Sequence, residues 1–211
     1  MEELGLRERK KRRTREAITD AAFALFRESG FDAVSVVDIA AAAEVSKPTL
    51  FAYFPTKEDI VLRRFVDGDG SPALVVRERR PGVPALRALR QSYLDRLARR
   101  DVLTGLNDSP SAITFHDLLY STPTLMARLS GYMIDRERDL ADELLASGAV
   151  SDGFTAHIAA AQVFGTQRIL GHHNAQEVRS GRSADDAYPA AVTRAETAFD
   201  VLENGLASRV G

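Results

Sequence analysis

The stretch SVVDIAAAAEVSKPTLFAYFPTKED, residues 35–59, constrains this chain more than any other. Its apolar residues recur at helical spacing, yet the pattern is cut twice. Ser35 opens an alanine-rich helix as an N-cap, with Asp38 at N3, where a carboxylate suits the helix dipole. Glu44-Val45 breaks that helix. Ser46 caps a second one, and Pro48 sits in its first turn, where a missing N–H costs nothing. Pro55 disfavours helix in the residue before it, so KPTLFAY ends after about two turns. A helix this short is marginal alone in water, so a tertiary arrangement has to hold it. Thr56 caps a further helix through Glu58, Ile60 and Phe65.

Two short helices joined by a tight turn, after a longer one from about Lys10 to Ser29 that stops at Gly30, predict a helix-turn-helix head. Val36, Ile39, Ala40, Ala43, Val45, Leu50 and Phe54 are its expected buried positions. Ser46, Lys47, Pro48, Thr49, Ala52 and Tyr53 are then left outward: a cation, hydroxyls and apolar surface, the inventory for anchoring phosphates and touching base edges. Charge distribution points the same way. The net charge is only −2, but seven of the nine residues from Arg7 to Arg15 are Lys or Arg. A basic terminus of this kind suits a polyanion, although a solvated helix start has the same composition.

Beyond residue 66 the apolar spacing remains helical and no internal repeat is evident. DGDGSP at 67–72 is a kink or a loop, and ALVVRERR a turn or two of helix ended by PGVP. A helix from Ala85 to Arg100 carries Leu86, Leu89, Tyr93 and Leu97 on one side. A loop follows at 104–112, then helices at 112–120, 122–129 and 130–147, and two long ones at 153–179 and 184–207. The expected fold is all-α, with a domain boundary near 54–58, giving an arm and head at 1–56 and a larger helical domain at 57–211. Ala156, Ala160, Val163, Phe164 and Leu170, then Val192, Ala195, Phe199 and Leu202, mix small and large residues in a way that suits a four-helix bundle with a two-fold mate.

The 211 residues include no cysteine, which excludes disulfides, thiolate metal sites and a cysteine nucleophile. No run of 18 apolar residues is present and no apolar segment backs the N-terminal charges, so neither a membrane span nor a secretory leader is expected, and the cytoplasm is the default location. GxSxG, Walker A, GxGxxG and HExxH are missing. The adjacent pair His172-His173 points about 100° apart on a helix and cannot chelate together. No catalytic residue, metal or cofactor is expected, and an enzyme on a helical scaffold is the weakest alternative.

The segment GFDAVSVVDIAAAAEVSKPTLFAYFPTKED resembles the N-terminal signature of TetR-family transcriptional regulators over roughly residues 12–60, through Gly30-Phe31, Ser35, Asp38-Ile39-Ala40, Ala43, Val45-Ser46, Thr49-Leu50, Tyr53-Phe54 and Lys57-Glu58. The resemblance implies a head that reads double-stranded operator DNA, and C-terminal helices that form a homodimer and enclose a small-molecule pocket. It implies that Ser46, Lys47, Pro48, Thr49 and Tyr53 face DNA, and that Ser35, Val37 and Lys57 lie at the phosphate backbone. Arg12 and Arg13 join them on a basic arm ahead of the first helix. Phe51 and Val37 depart from the family, which often has tyrosine and a polar residue there. For a mostly apolar effector, Tyr93, Leu97, Phe115, His116, Leu119, Met126, Met133, Phe164 and Gln167 are the candidate contacts, against the alternative of ordinary core. A DNA-binding protein without an effector is the other alternative.

Overall fold

A computed structural model describes residues 5–66 and 71–205. The described residues are helical throughout, without a strand: α1 Leu6–Ser29, α2 Val36–Ala42, α3 Lys47–Tyr53, α4 Lys57–Val66, α5 Pro72–Arg77, α6 Ala85–Ala98, a 3-10 turn Val102–Thr104, α7 Pro110–Ser121, α8 Pro123–Ala146, α9 Gly153–Arg179 and α10 Ala184–Asn204. The all-α expectation is met. Residues 67–70 of the DGDGSP break lie outside the described residues, as does the chain after 205.

Two expectations on helix bounds are corrected. The basic run is not an arm ahead of α1 but its first turns, because α1 starts at Leu6. Lys and Arg are good helix formers, and nothing in 6–10 breaks a helix. The helices expected at 122–129 and 130–147 are one helix of 24 residues. At the expected boundary Gly131 costs only about 1 kcal/mol in a helix interior, and Leu125, Leu129, Leu140 and Leu144 are buried along that helix.

The chain divides into two compact units. One comprises residues up to 67 together with 114–128; the other comprises 68–113 and 129–211. The sequence reading ended the head at residue 56. The compact unit instead retains α4, whose Ile60, Val61 and Leu62 are buried, and takes in the second half of α7. The reason lies in aromatic packing: the fully buried Phe115 ring sits 6.5 Å from Phe23 of α1 and 5.7 Å from Phe65 of α4.

The second unit has its own core, in which Tyr93, Leu97, Leu140, Leu144, Ala160, Phe164, Ala191, Ala195 and Phe199 are buried together. The turn after Val102–Thr104 comes close to the backbone of α9. Gly105 is left-handed, with φ +74°, and a Cβ there would overlap the carbonyl oxygen and carbon of Gly171 and the amide of Ala175. Only glycine fits that position.

Candidate nucleic-acid interface

The turn between α2 and α3 is built by backbone hydrogen bonds. Ser35 and Asp38 form a full capping box: Asp38 N donates to Ser35 Oγ (3.2 Å) and Ser35 N to Asp38 Oδ2 (2.9 Å). These bonds to Ser35 hold the exposed Asp38 carboxyl below its ordinary value. At the other end Glu44 is left-handed, with φ 53°. Its N–H donates to Ala41 O (3.1 Å), while Val45 N–H donates to Ala40 O (2.9 Å). That pair of bonds is the Schellman termination, with glutamate where glycine is usual. The sequence reading placed the break there, but the absence of glycine hid its geometry.

Ser46 caps α3 by accepting from Thr49 N (3.1 Å), and the two hydroxyls lie 2.7 Å apart in a shared hydrogen bond. Ile39, Ala40, Leu50 and Phe54 are buried as expected, and Val36, Ala43 and Val45 are half-buried. Ser46, Lys47 and Pro48 are exposed; Thr49 and Tyr53 are half-buried, one turn apart on the flank of α3. The outward centre of α3 is therefore Lys47, Pro48, Phe51 and Ala52. Phe51 is 40 % exposed and Val37 of α2 is 54 % exposed. Ser35 is exposed at the head of α2, and Arg12 and Arg13 are exposed on α1, where Arg12 pairs with Glu16 at 3.6 Å.

Lys57, implied as a phosphate contact, is half-buried at the start of α4. Its ammonium donates to Phe31 O (2.7 Å) and Val34 O (3.1 Å) and lies 4.3 Å from the centre of the Phe31 ring. Two of its three N–H donors tie α4 to the loop before α2, leaving one for any outside acceptor. Asp59, two residues on, closes a capping box with Thr56 and also accepts from Arg128 at the start of α8.

The nine candidate effector contacts are divided between the two units. Phe115, His116 and Leu119 are buried in the first unit, where Met126 is exposed. Tyr93, Leu97 and Phe164 are buried in the core of the second unit, with Met133 and Gln167 half-buried. Among the described residues, the hydroxyl of Tyr93 is buried without a hydrogen-bond partner, and burial pushes its phenol well above the ordinary range.

Most of the residues expected to meet a two-fold mate point inward. Ala156, Ala160, Val163, Phe164, Leu170, Ala195 and Phe199 are buried in the second unit's own core. The outward apolar stripe of α9 is Phe154 (78 % exposed), Ile158 (46 %), Ala161, the half-buried Gly165 and Ile169 (52 %). Spacings of 4, 3, 4 and 4 residues keep them on one face. Sequence reasoning missed this stripe because α9 is apolar on two sides, and periodicity does not say which side is inside.

The signature of the family described as "Bacterial regulatory proteins, tetR family" matches residues 18–63. The HTH-type transcriptional regulator TcmR of Streptomyces glaucescens is 34% identical over 125 residues, 58% of this chain and 55% of that protein. The match thus spans little more than half the length of that relative. Among solved structures, NalD of Pseudomonas aeruginosa, the secondary repressor of the MexAB-OprM multidrug efflux pump, superposes with a TM-score of 0.58 at 19% identity, covering 90% of this chain and 96% of that one. The regulator FadR of Bacillus subtilis, in complex with stearoyl-CoA, gives 0.56 at 21%, covering 90% and 98%. At these identities the likeness is one of fold.

Proposed function

We propose that the chain is a transcriptional regulator of the TetR family, whose signature matches residues 18–63, and that it acts as a homodimeric, ligand-responsive repressor of a palindromic operator. The observation that carries this reading is the first unit itself. It holds a sealed helix-turn-helix whose short α3 turns an uncommitted face outward, on the same unit as a helix start with seven exposed or half-exposed cations in nine residues. In the dimer, two α3 helices enter successive major grooves about 34–36 Å apart, which is why the operator is a palindrome. Ser46, Lys47, Pro48, Thr49 and Tyr53 meet the groove. Ser35, Val37 and the remaining donor of Lys57 lie along the backbone, and Arg12 and Arg13 add phosphate contacts from a helix. The head is the N-terminal unit, and the remaining helices carry dimerisation and effector binding.

The dimer forms through α9 and α10, with Phe154, Ile158, Ala161, Gly165 and Ile169 as the contact stripe. Its support is the exposure of large apolar side chains in a row, which monomers seldom show. A small, mostly apolar effector binds in the second unit against Tyr93, Leu97, Met133, Phe164 and Gln167. The unpartnered Tyr93 hydroxyl supports a ligand with one hydrogen-bonding group. The complex of the fold neighbour with stearoyl-CoA supports an apolar ligand class. Such a ligand shifts the head spacing only by its differential affinity for the two states of the dimer.

The test is DNA from upstream of the protein's own gene, bound at several salt concentrations and challenged with a metabolite pool. Binding that weakens steeply with salt and is released by a pool fraction is the expected result. A dimeric Lys47→Ala or Tyr53→Ala protein with undiminished affinity would refute the assigned face.

A further inference from the structure

We propose that Phe51 reads bases, selecting thymine through its 5-methyl group. The inference rests on the DNA-binding reading above and deepens it. Of the polar residues on α3, Ser46 and Thr49 are spent on the helix cap: Ser46 Oγ accepts the Thr49 N–H, and one hydroxyl donates to the other. Between them a single hydroxyl proton remains. Tyr53 is half-buried on the flank. What α3 turns fully outward is one ammonium, Lys47, amid three carbon surfaces, Pro48, Phe51 and Ala52.

A face of this chemistry discriminates poorly by hydrogen bonds. In the major groove the apolar feature that distinguishes one base from the others is the thymine methyl. Phe51 is the side chain large enough to reach it. The other phenylalanines of the helix-turn-helix and α1, namely Phe23, Phe26, Phe31 and Phe54, are all buried, whereas Phe51 is left 40 % exposed. Lys47, one turn before it, holds its ammonium 5.8 Å from the ring centre. The cation thus covers part of one ring face and is carried on the same outward surface, where it suits a guanine edge or a phosphate beside the thymine. The occupant is a DNA duplex rather than a protein, because the exposed cations of residues 7–15 lie on this same unit.

The full-length protein is used to select sites from a random duplex library. The selected site is then remade with uracil in place of each thymine, one position at a time, which removes only the methyl. For the wild type, one position per half-site should lose about fourfold in affinity, the factor for burying one methyl-sized group. Phe51→Ala should bind thymine and uracil equally there, while Phe51→Tyr, which keeps the ring, should retain the preference. Thermal midpoints of all three proteins should agree, since the side chain lies on the surface. The inference is overturned if the wild type tolerates uracil everywhere, or if Phe51→Ala keeps the wild-type profile; in both cases DNA binding itself stands. Failure to select any site would overturn the DNA-binding reading and this one with it.

Discussion

The carbonyl of Thr104, a residue fully buried in the second unit, accepts from the Asn174 amide at 2.8 Å. Asn174 Oδ1 accepts in turn from Arg194 (3.0 Å), whose guanidinium also grips both oxygens of Glu177 (each 3.1 Å). Asn174→Ala should therefore lower unfolding free energy by about 1–3 kcal/mol, the cost of leaving a buried acceptor unmade, as read from urea melts. Gly105→Ala should cost more and block soluble expression, because its Cβ overlaps backbone that cannot step aside. Asp38 offers a pH test. Its carboxyl is held below the ordinary 3.8 by its bonds to Ser35, so the charged form belongs to the fold. The contribution is in place above the unfolded value and is lost as pH falls through the lowered native one. An NMR titration of the Asp38 carboxyl should show a midpoint below 3.8, and Ser35→Ala should bring it back towards that value.

At the scale of elements, Lys57 acts as a strut between α4 and the loop that leads into α2. Lys57→Met should remove two charged hydrogen bonds and destabilise the head by about 1–3 kcal/mol, measured by thermal melting of the full-length protein. A melting curve identical to wild type would show that the strut is not formed in solution. The basic turns of α1 make a different prediction. Each phosphate contact adds about 0.9 to the log–log salt slope of DNA affinity. Replacing Arg12 and Arg13 with glutamine should therefore flatten the slope by up to about 1.8 while leaving the melting temperature within a degree or two. Both residues were legible in the sequence as cations. That the helix starts at Leu6 and takes in the whole run was not, because a charge run at a terminus reads equally well as helix or arm.

The whole molecule is tested through the outward stripe of α9. Ile158→Asp combined with Ile169→Asp should convert a dimer into a folded monomer in light scattering and abolish operator binding, since each half-site alone contributes only part of the affinity. Substitution in the inward row, such as Ala160→Asp, should instead unfold the second unit by burying an unpaired charge. The contrast between the two rows separates interface from core, which composition alone did not do.

The local punctuation was in the sequence. Ser35, Ser46, Pro48 and Pro55 set the ends of α2 and α3 through caps and missing N–H groups, effects that act within one turn of the chain. The buried side of the helix-turn-helix followed from period alone, because a helix with one apolar face has one way to turn. Tertiary structure decided everything that involves a choice between faces or distant partners. It assigned which apolar side of α9 is core. It packed Phe115 against Phe23 and Phe65, committed Lys57 to Phe31 and Val34, and left Phe51 as the large side chain on the outward face. The physical reason is that capping and helical period are local free energies, whereas burial depends on which residues, remote in sequence, arrive to exclude water.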